Sequence, residues 1–412
     1  MNIIEYVSQS TDSFAARPFG EVDSLVLSQA AYLRVGEYEG VRLCDLYDLV
    51  KDRMASIAPA RTQENEALLA AFGRSIRYEE VRLVAQNTVF DVGSSCQFSA
   101  TLFAIGDLYY FACRGTDGTL VGWKEDLDLM YKEDIAAQTH ALRWLNRMTG
   151  KRLIVGGHSK GGNLAVYAAA FCDRAVQDNI VAVYDHDGPG FMPTVLKRDG
   201  YRRILPRVHK TVPEMCVFGH MMVDDVTYTI IKSDGNNIYQ HLSFTWQCTP
   251  EGYFVLGEGL TVGSQIVRDI CDSIVPSMTI EERETFVTIV YEALRHADVD
   301  KVGDIASVKA VVKALQYNRS LPKPLREKMG HCVHLFLSAA WGSSVAVTEE
   351  YVTTTVNEWR VRRQEKKAGK SASREVKPQD RATEVEPDCA PDEITALPLV
   401  SADLANPDDT EN

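Results

Sequence analysis

The stretch Arg152–Ala170, RLIVGGHSKGGNLAVYAAA, decides how the rest of the chain is read. Its apolar run Leu153-Ile154-Val155 breaks at Gly156-Gly157, presents His158-Ser159-Lys160 between glycines, and resumes at helical spacing from Leu164 through Val166 to Ala169. That pattern predicts a strand, a sharp turn and a helix. Gly157-His158-Ser159-Lys160-Gly161 has the form G-x-S-x-G, in which glycines flank a nucleophilic Ser because its strained turn leaves no room for neighbouring side chains. Such a turn pushes the hydroxyl out over the sheet edge. It also sets the N–H of Lys160 at the start of a helix, where free amides and the helix dipole favour a developing oxyanion. The competing reading is a glycine-rich turn with an idle Ser.

Outward from this stretch the pattern continues. Ile180–Tyr184 is a second buried-strand run, stopping at Asp185-His186-Asp187-Gly188-Pro189-Gly190. Strand, elbow, helix and strand make a βαβ unit of a parallel sheet, with ligands expected at the carboxyl ends of the strands. Upstream, Cys96–Ile105 and Leu108–Gly115 are alternating, aromatic-rich runs joined at Gly106-Asp107, a hairpin that delivers Arg114-Gly115-Thr116. A helix is expected from Trp123 or Lys124 to Met148, with a break near Asp134. Residues 1–97 show helical spacing at Ser24–Leu33 and Leu43–Met54 and a strand candidate at Arg77–Gln86, without a legible function. Further strands are expected near Glu214–Phe218 and Thr227–Lys232.

From about Leu260 the spacing turns helical: Thr279-Ile280-Glu281-Glu282 is a capping box, and Phe286, Ile289, Val290, Ala293 and Leu294 form one stripe. Similar stripes at 305–317, 324–341 and 348–364 are read as core packing. From Glu365 to Asn412 there is no Phe, Trp or Tyr, and that tail is expected to be disordered.

Composition bounds the function. The chain has 412 residues, 45% hydrophobic and 25% charged, as expected of a globular protein with one large domain and an appendage. The net charge of −13 comes mostly from residues 382–412, which hold nine acids and no Lys or Arg and leave about −4 elsewhere. No nucleic-acid footprint is present. Nine scattered cysteines without C-x-x-C spacing argue against a disulfide framework and a zinc site. With no signal-like N-terminus and no apolar run of the ~18 residues a span needs, a cytoplasmic location is expected, with transient contact at a membrane surface left open. No cofactor is expected.

A Ser is inert at neutral pH unless a His takes its proton and a carboxylate holds that His in one tautomer. His158 lies inside the elbow and is expected to point elsewhere, His140 sits on a helix, His186 lies at a strand end, and His296, His331 and His334 fall in the helical region. That leaves His209, His220 and His241. In the order Ser, acid, His that α/β-hydrolases follow, His241 fits best. Asp187 is the preferred acid, with Asp185, Asp224 and Asp225 as competitors.

Cys113-Arg114-Gly115-Thr116, Trp123, Asp126-Leu127, the elbow through Asn163, and Gln240-His241-Leu242-Ser243-Phe244 together resemble the class 3, fungal-type lipase branch of the α/β-hydrolases. With Asp187-Gly188-Pro189-Gly190-Phe191 added, the chain resembles more closely a bacterial family of uncharacterised lipase-like proteins related to that branch, over residues 20–250. The resemblance implies oxyanion-hole amides at Thr116 and Lys160 and supports His241. Two departures stand out. Where class 3 lipases usually carry their acid, Lys210-Thr211-Val212-Pro213 has a Lys, and Asp187 instead occupies the earlier strand end that pancreatic-type lipases use. In the elbow, Lys160 replaces the usual Leu, which predicts a more polar mouth.

The expected fold class is therefore α/β: a hydrolase domain with a mostly parallel central sheet over 1–259, a helical region over 260–364 packed on or capping it, and an acidic tail over 365–412. The expected function is a serine hydrolase of carboxylic esters, with a small-molecule ester or lipid as substrate. The alternatives are a thioesterase or amidase with the same triad, and a non-catalytic hydrolase-fold scaffold for binding or regulation.

Overall fold

In the computed structural model the described residues are 1–117, 119–296 and 322–323. They belong to one unit, Met1–Tyr351; a second unit, Val352–Asn412, lies outside them. The stripes expected at 305–317, 324–341 and 348–364 and the tail from Glu365 also fall outside the described residues.

Seven strands form one sheet in sequence order: β1 (Arg82–Asp91), β2 (Cys96–Ile105), β3 (Leu108–Cys113), β4 (Arg152–His158), β5 (Ile180–His186), β6 (Val208–Pro213) and β7 (Tyr228–Ile231). The first three are antiparallel, and each later strand pairs in parallel with its predecessor. The β2–β3 turn is the expected one, with Gly106 at φ +62°, in the left-handed region that glycine adopts without penalty.

Five helices precede the sheet: α1 (Ile3–Gln9), α2 (Glu21–Ala30), α3 (Leu43–Val50), α4 (Met54–Ile57) and α5 (Thr62–Phe72). Between β3 and β4 run α6 (Leu120–Asp128) and α7 (Ala136–Leu145); then come α8 (Lys160–Phe171) and α9 (Arg174–Gln177), then α10 (Pro193–Leu196) and α11 (Asp199–Ile204). The chain ends its described course with α12 (Val262–Ser277) and α13 (Ile280–His296).

Successive strands laid down in one direction with right-handed crossovers put their crossover helices on one face of the sheet. The alternation of the strands shows that division. Phe98, Ala100, Leu102, Phe111, Leu153, Val155 and Val183 pack with α7, α8 and α11 on one side. Phe103, Ile105, Tyr110, Ala112, Ile154 and Ala182 pack with α1–α5 on the other. The N-terminal helices, whose role is not legible in the sequence, thus cover the face that the crossovers leave bare.

Three expectations need correction. The strand placed at Arg77–Gln86 begins at Arg82, because Arg77 and Tyr78 turn inward to donate to the buried Asp23 carboxylate at 2.6 to 2.8 Å. The strand placed at Glu214–Phe218 lies instead at Val208–Pro213. Its alternation is broken by Lys210, which is buried, so a charged residue hides a core strand. The single helix from about Trp123 to Met148 is two, α6 and α7, separated across the expected break. At the C-terminal end the Thr279 capping box forms: Thr279 Oγ1 accepts from Glu282 N, and Glu282 Oε2 accepts from Thr279 N. Ile289 is buried and Phe286 half-buried.

Candidate functional site

Three adjacent strand ends and one later loop build the site. Ser159 sits between β4 and α8 at φ 59°, ψ −135°, a conformation costly for a residue with a Cβ. Its N–H donates to His186 O at 2.9 Å, and its carbonyl accepts from Gly162 N at 2.8 Å, which locks the turn. The flanking glycines are required by contact: a Cβ on Gly157 would lie 2.2 Å from the Gly161 backbone, and one on Gly161 would lie 2.2 Å from Cys113 O. The helix behind is Ala-rich, and Lys160–Ala170 are all buried, so it lies close against the sheet. Ser159 itself stays partly exposed.

Asp187 follows β5 and is fully buried, with φ 55° and its N–H donating to Thr211 O at 2.8 Å. Its Oδ2 accepts from His241 Nδ1 at 2.6 Å; its Oδ1 accepts from Gly219 N at 3.1 Å and from the Cys216 thiol at 2.9 Å. With Nδ1 donating to a carboxylate, Nε2 of a neutral His241 is left as a proton acceptor. The ring lies between Phe218, 4.2 Å away by centroid, and His158, 4.6 Å away. His158 therefore does not point elsewhere as expected. It lines the same cavity as Ser159 and His241, and its Nε2 donates to His241 O at 2.7 Å. Burial, then the neighbouring His241, pushes His158 down to about 3, so it is neutral and clamps the His241 backbone.

The competing acids are committed elsewhere. Asp185 accepts from Gly188 N at 2.9 Å and pairs with Lys210 at 3.4 Å, Asp224 pairs with the same ammonium, and Asp225 is exposed. Lys210 is thus the counter-ion that lets two carboxylates sit beneath the sheet end.

Thr116 follows β3, and its Oγ1 donates to Asp126 Oδ2 at 2.6 Å. Burial pushes Asp126 up to about 6, against the opposing pull of Lys160 and the Thr116 hydroxyl. Among the described residues, neither the Thr116 nor the Lys160 backbone N–H donates to an acceptor. The Lys160 side chain, in contrast to the expected polar mouth, turns inward and is 1% exposed. Its three donors are used up by Gln97 O at 3.0 Å, Gln97 Oε1 at 3.0 Å and Glu125 Oε2 at 2.8 Å. A buried ammonium is tolerated only with such full pairing. Glu125, Gln97, Cys216 and Gly219 escaped sequence reasoning, since only the unusual Lys in the elbow signals that a partner is needed.

Ser159, His241, Thr116 and His158 line one cavity of about 510 Å³. Apolar Ala58, Pro59, Leu242 and Phe244 form part of its wall. Among the described residues no cluster of three or more His, Cys, Asp or Glu could hold a metal ion, and no helix is long and apolar enough to cross a membrane.

Solved structures similar to this chain include a Rhizomucor miehei lipase–propeptide complex, 13% identical over 50% of this chain and 66% of that one, with a TM-score of 0.32. Lipase II from Rhizopus niveus is 12% identical over 56% and 79%, with a TM-score of 0.32, and a lipase from Rhizopus microsporus var. chinensis is 13% identical over 55% and 78%, with a TM-score of 0.31. A search of curated proteins finds no match. The Mbeg1-like family model matches residues 72–292, more than half of the chain and the whole span from the sheet through Ser159, Asp187 and His241 to α13, and the chain belongs to that family.

Proposed function

We propose that the chain is a serine hydrolase of carboxylic esters. The observation that carries this reading is the arrangement around one cavity: Ser159 on a left-handed elbow, and His241 with Nδ1 committed to the buried Asp187 at 2.6 Å. In this reading Ser159 Oγ attacks the ester carbonyl as His241 Nε2 takes its proton, and Asp187 steadies the imidazolium. The N–H groups of Thr116 and Lys160 receive the oxyanion, and Thr116 is steadied by Asp126. His241 then returns the proton to the leaving alcohol, and a water activated by the same ring hydrolyses the acyl-enzyme. The same machinery would serve a thioester.

The test is steady-state hydrolysis of short 4-nitrophenyl esters. Ser159→Ala should lower kcat by a factor on the order of 10⁴ or more. Wild-type turnover in that variant would remove Ser159 from the reaction.

A further inference from the structure

The cavity over Ser159 is lined, beside its apolar residues, by three arginines, Arg34, Arg61 and Arg114. They differ in how they are neutralised. Arg61 is exposed and pairs with Glu64 at 2.7 Å. Arg114 is only 6% exposed, its Nε is buried with no hydrogen-bond partner, and its nearest carboxylate, Asp117, stands 4.0 Å from Nη2, the outer limit of an ion pair. Arg34 opens to solvent and, among the described residues, makes no ion pair. Burial pulls Arg114 below its ordinary value, Asp117 and Tyr32 resist, and Arg34 adds to the depression, so the two cations feel one another.

A largely buried guanidinium whose nearest carboxylate stands 4.0 Å away is costly, and a second cation at the same cavity raises that cost. An anion would relieve both. The guanidinium fork suits carboxylate or phosphate oxygens, and Arg114 stands two residues before Thr116, beside the proposed oxyanion site. Ala58, Pro59, Leu242 and Phe244 form an apolar part of the wall, and Asp117, the distant partner of Arg114, also lines the cavity.

Resting on the serine-hydrolase reading above, we propose that the site selects esters that carry an anionic group, held by Arg34 and Arg114, with a short apolar portion against Ala58, Pro59, Leu242 and Phe244. For mono-4-nitrophenyl succinate, Ser159 would displace 4-nitrophenol to form a succinyl-enzyme, and water would release succinate.

The experiment compares kcat/KM for mono-4-nitrophenyl succinate and neutral 4-nitrophenyl butyrate in wild type, Arg34→Gln and Arg114→Lys. Butyryl glycerol 3-phosphate against monobutyrin tests an anion on the alcohol side. The wild type should favour the anionic member of at least one pair. In Arg34→Gln that ratio should fall about tenfold or more, as expected for losing a hydrogen-bonded charge pair. Arg34 is exposed, so this variant tests the idea even if Arg114→Lys fails to fold. Hydrolysis of the neutral esters with no anionic preference, or with a ratio indifferent to Arg34, overturns the proposal and leaves the hydrolase reading intact. Turnover of no ester contradicts the hydrolase reading instead. Calorimetry with monomethyl succinate on the wild-type chain then decides the anion site: binding weakened about tenfold in Arg34→Gln upholds it, and no binding at millimolar ligand overturns it.

Discussion

Replacing Asp187 by Asn is the most informative single change, because the surroundings of the carboxylate dictate how the amide must lie. Oδ1 faces two donors, Gly219 N–H and the Cys216 thiol, while Oδ2 faces only His241 Nδ1. An amide group turned toward Gly219 would bury donor against donor, at a cost of about 1–3 kcal/mol. Turned the other way, the amide oxygen keeps both donors and the NH₂ meets the ring, which satisfies every group only if Nδ1 becomes an acceptor. The second orientation wins. It moves the ring proton to Nε2, the atom that must accept from Ser159, so kcat should drop about 10⁴-fold, or roughly 5 kcal/mol in barrier, with little loss of stability. Stopped-flow hydrolysis of 4-nitrophenyl butyrate gives the rate, and urea unfolding gives the stability. Near-normal kcat in Asp187→Asn, with Asp224→Asn or Asp185→Asn inactive, would refute the reasoning.

Other consequences are as direct. Glu125→Ala takes from the buried Lys160 ammonium its nearest carboxylate, leaving Asp126 at 3.7 Å, and strips the Gln97 and Ala137 amides of their acceptor, so it should cost about 3–5 kcal/mol in urea unfolding; a loss under about 1 kcal/mol would contradict the pairing account. Asp126 is raised from an ordinary 3.8 to about 6, so its contribution to stability is full below 3.8 and lost as pH rises through 6. Wild type should therefore lose more stability than Asp126→Asn between pH 4.5 and 7.5, and parallel profiles would remove Asp126 from the linkage. Gly161→Ala, whose added carbon would lie 2.2 Å from Cys113 O, should give insoluble or unfolded protein, while Gly93→Ala, which meets nothing nearer than an Asp91 side-chain oxygen at 3.4 Å, should be silent in thermal melts.

What was legible in the sequence is what local physics dictates. The strand, elbow and helix about Ser159, the turn at Gly106 and the cap at Thr279 each depend on residues within a few positions of one another. The pairing of Asp187 with His241 was reachable through chain order, although 54 residues separate them. Burial of charge was not legible. Lys160 reads as a polar residue of the mouth and Lys210 as a departure from the class 3 pattern; their partners, Glu125 at a separation of 35 and Asp185 and Asp224, come to them only in the fold. Lys210 also disguised β6, since a buried Lys interrupts the alternation by which a strand is recognised. The placement of His158 is hidden for a related reason: its contacts are to the His241 loop, whose approach no local pattern specifies.

The central claim, that Ser159 is an activated nucleophile, is tested most directly by covalent labelling with a fluorophosphonate followed by peptide mass spectrometry. One adduct per chain is predicted, on the peptide containing Ser159, absent in Ser159→Ala and formed far more slowly in Asp187→Asn. A folded wild-type chain that takes up no label, or a label that persists at the same rate in Ser159→Ala, would contradict it.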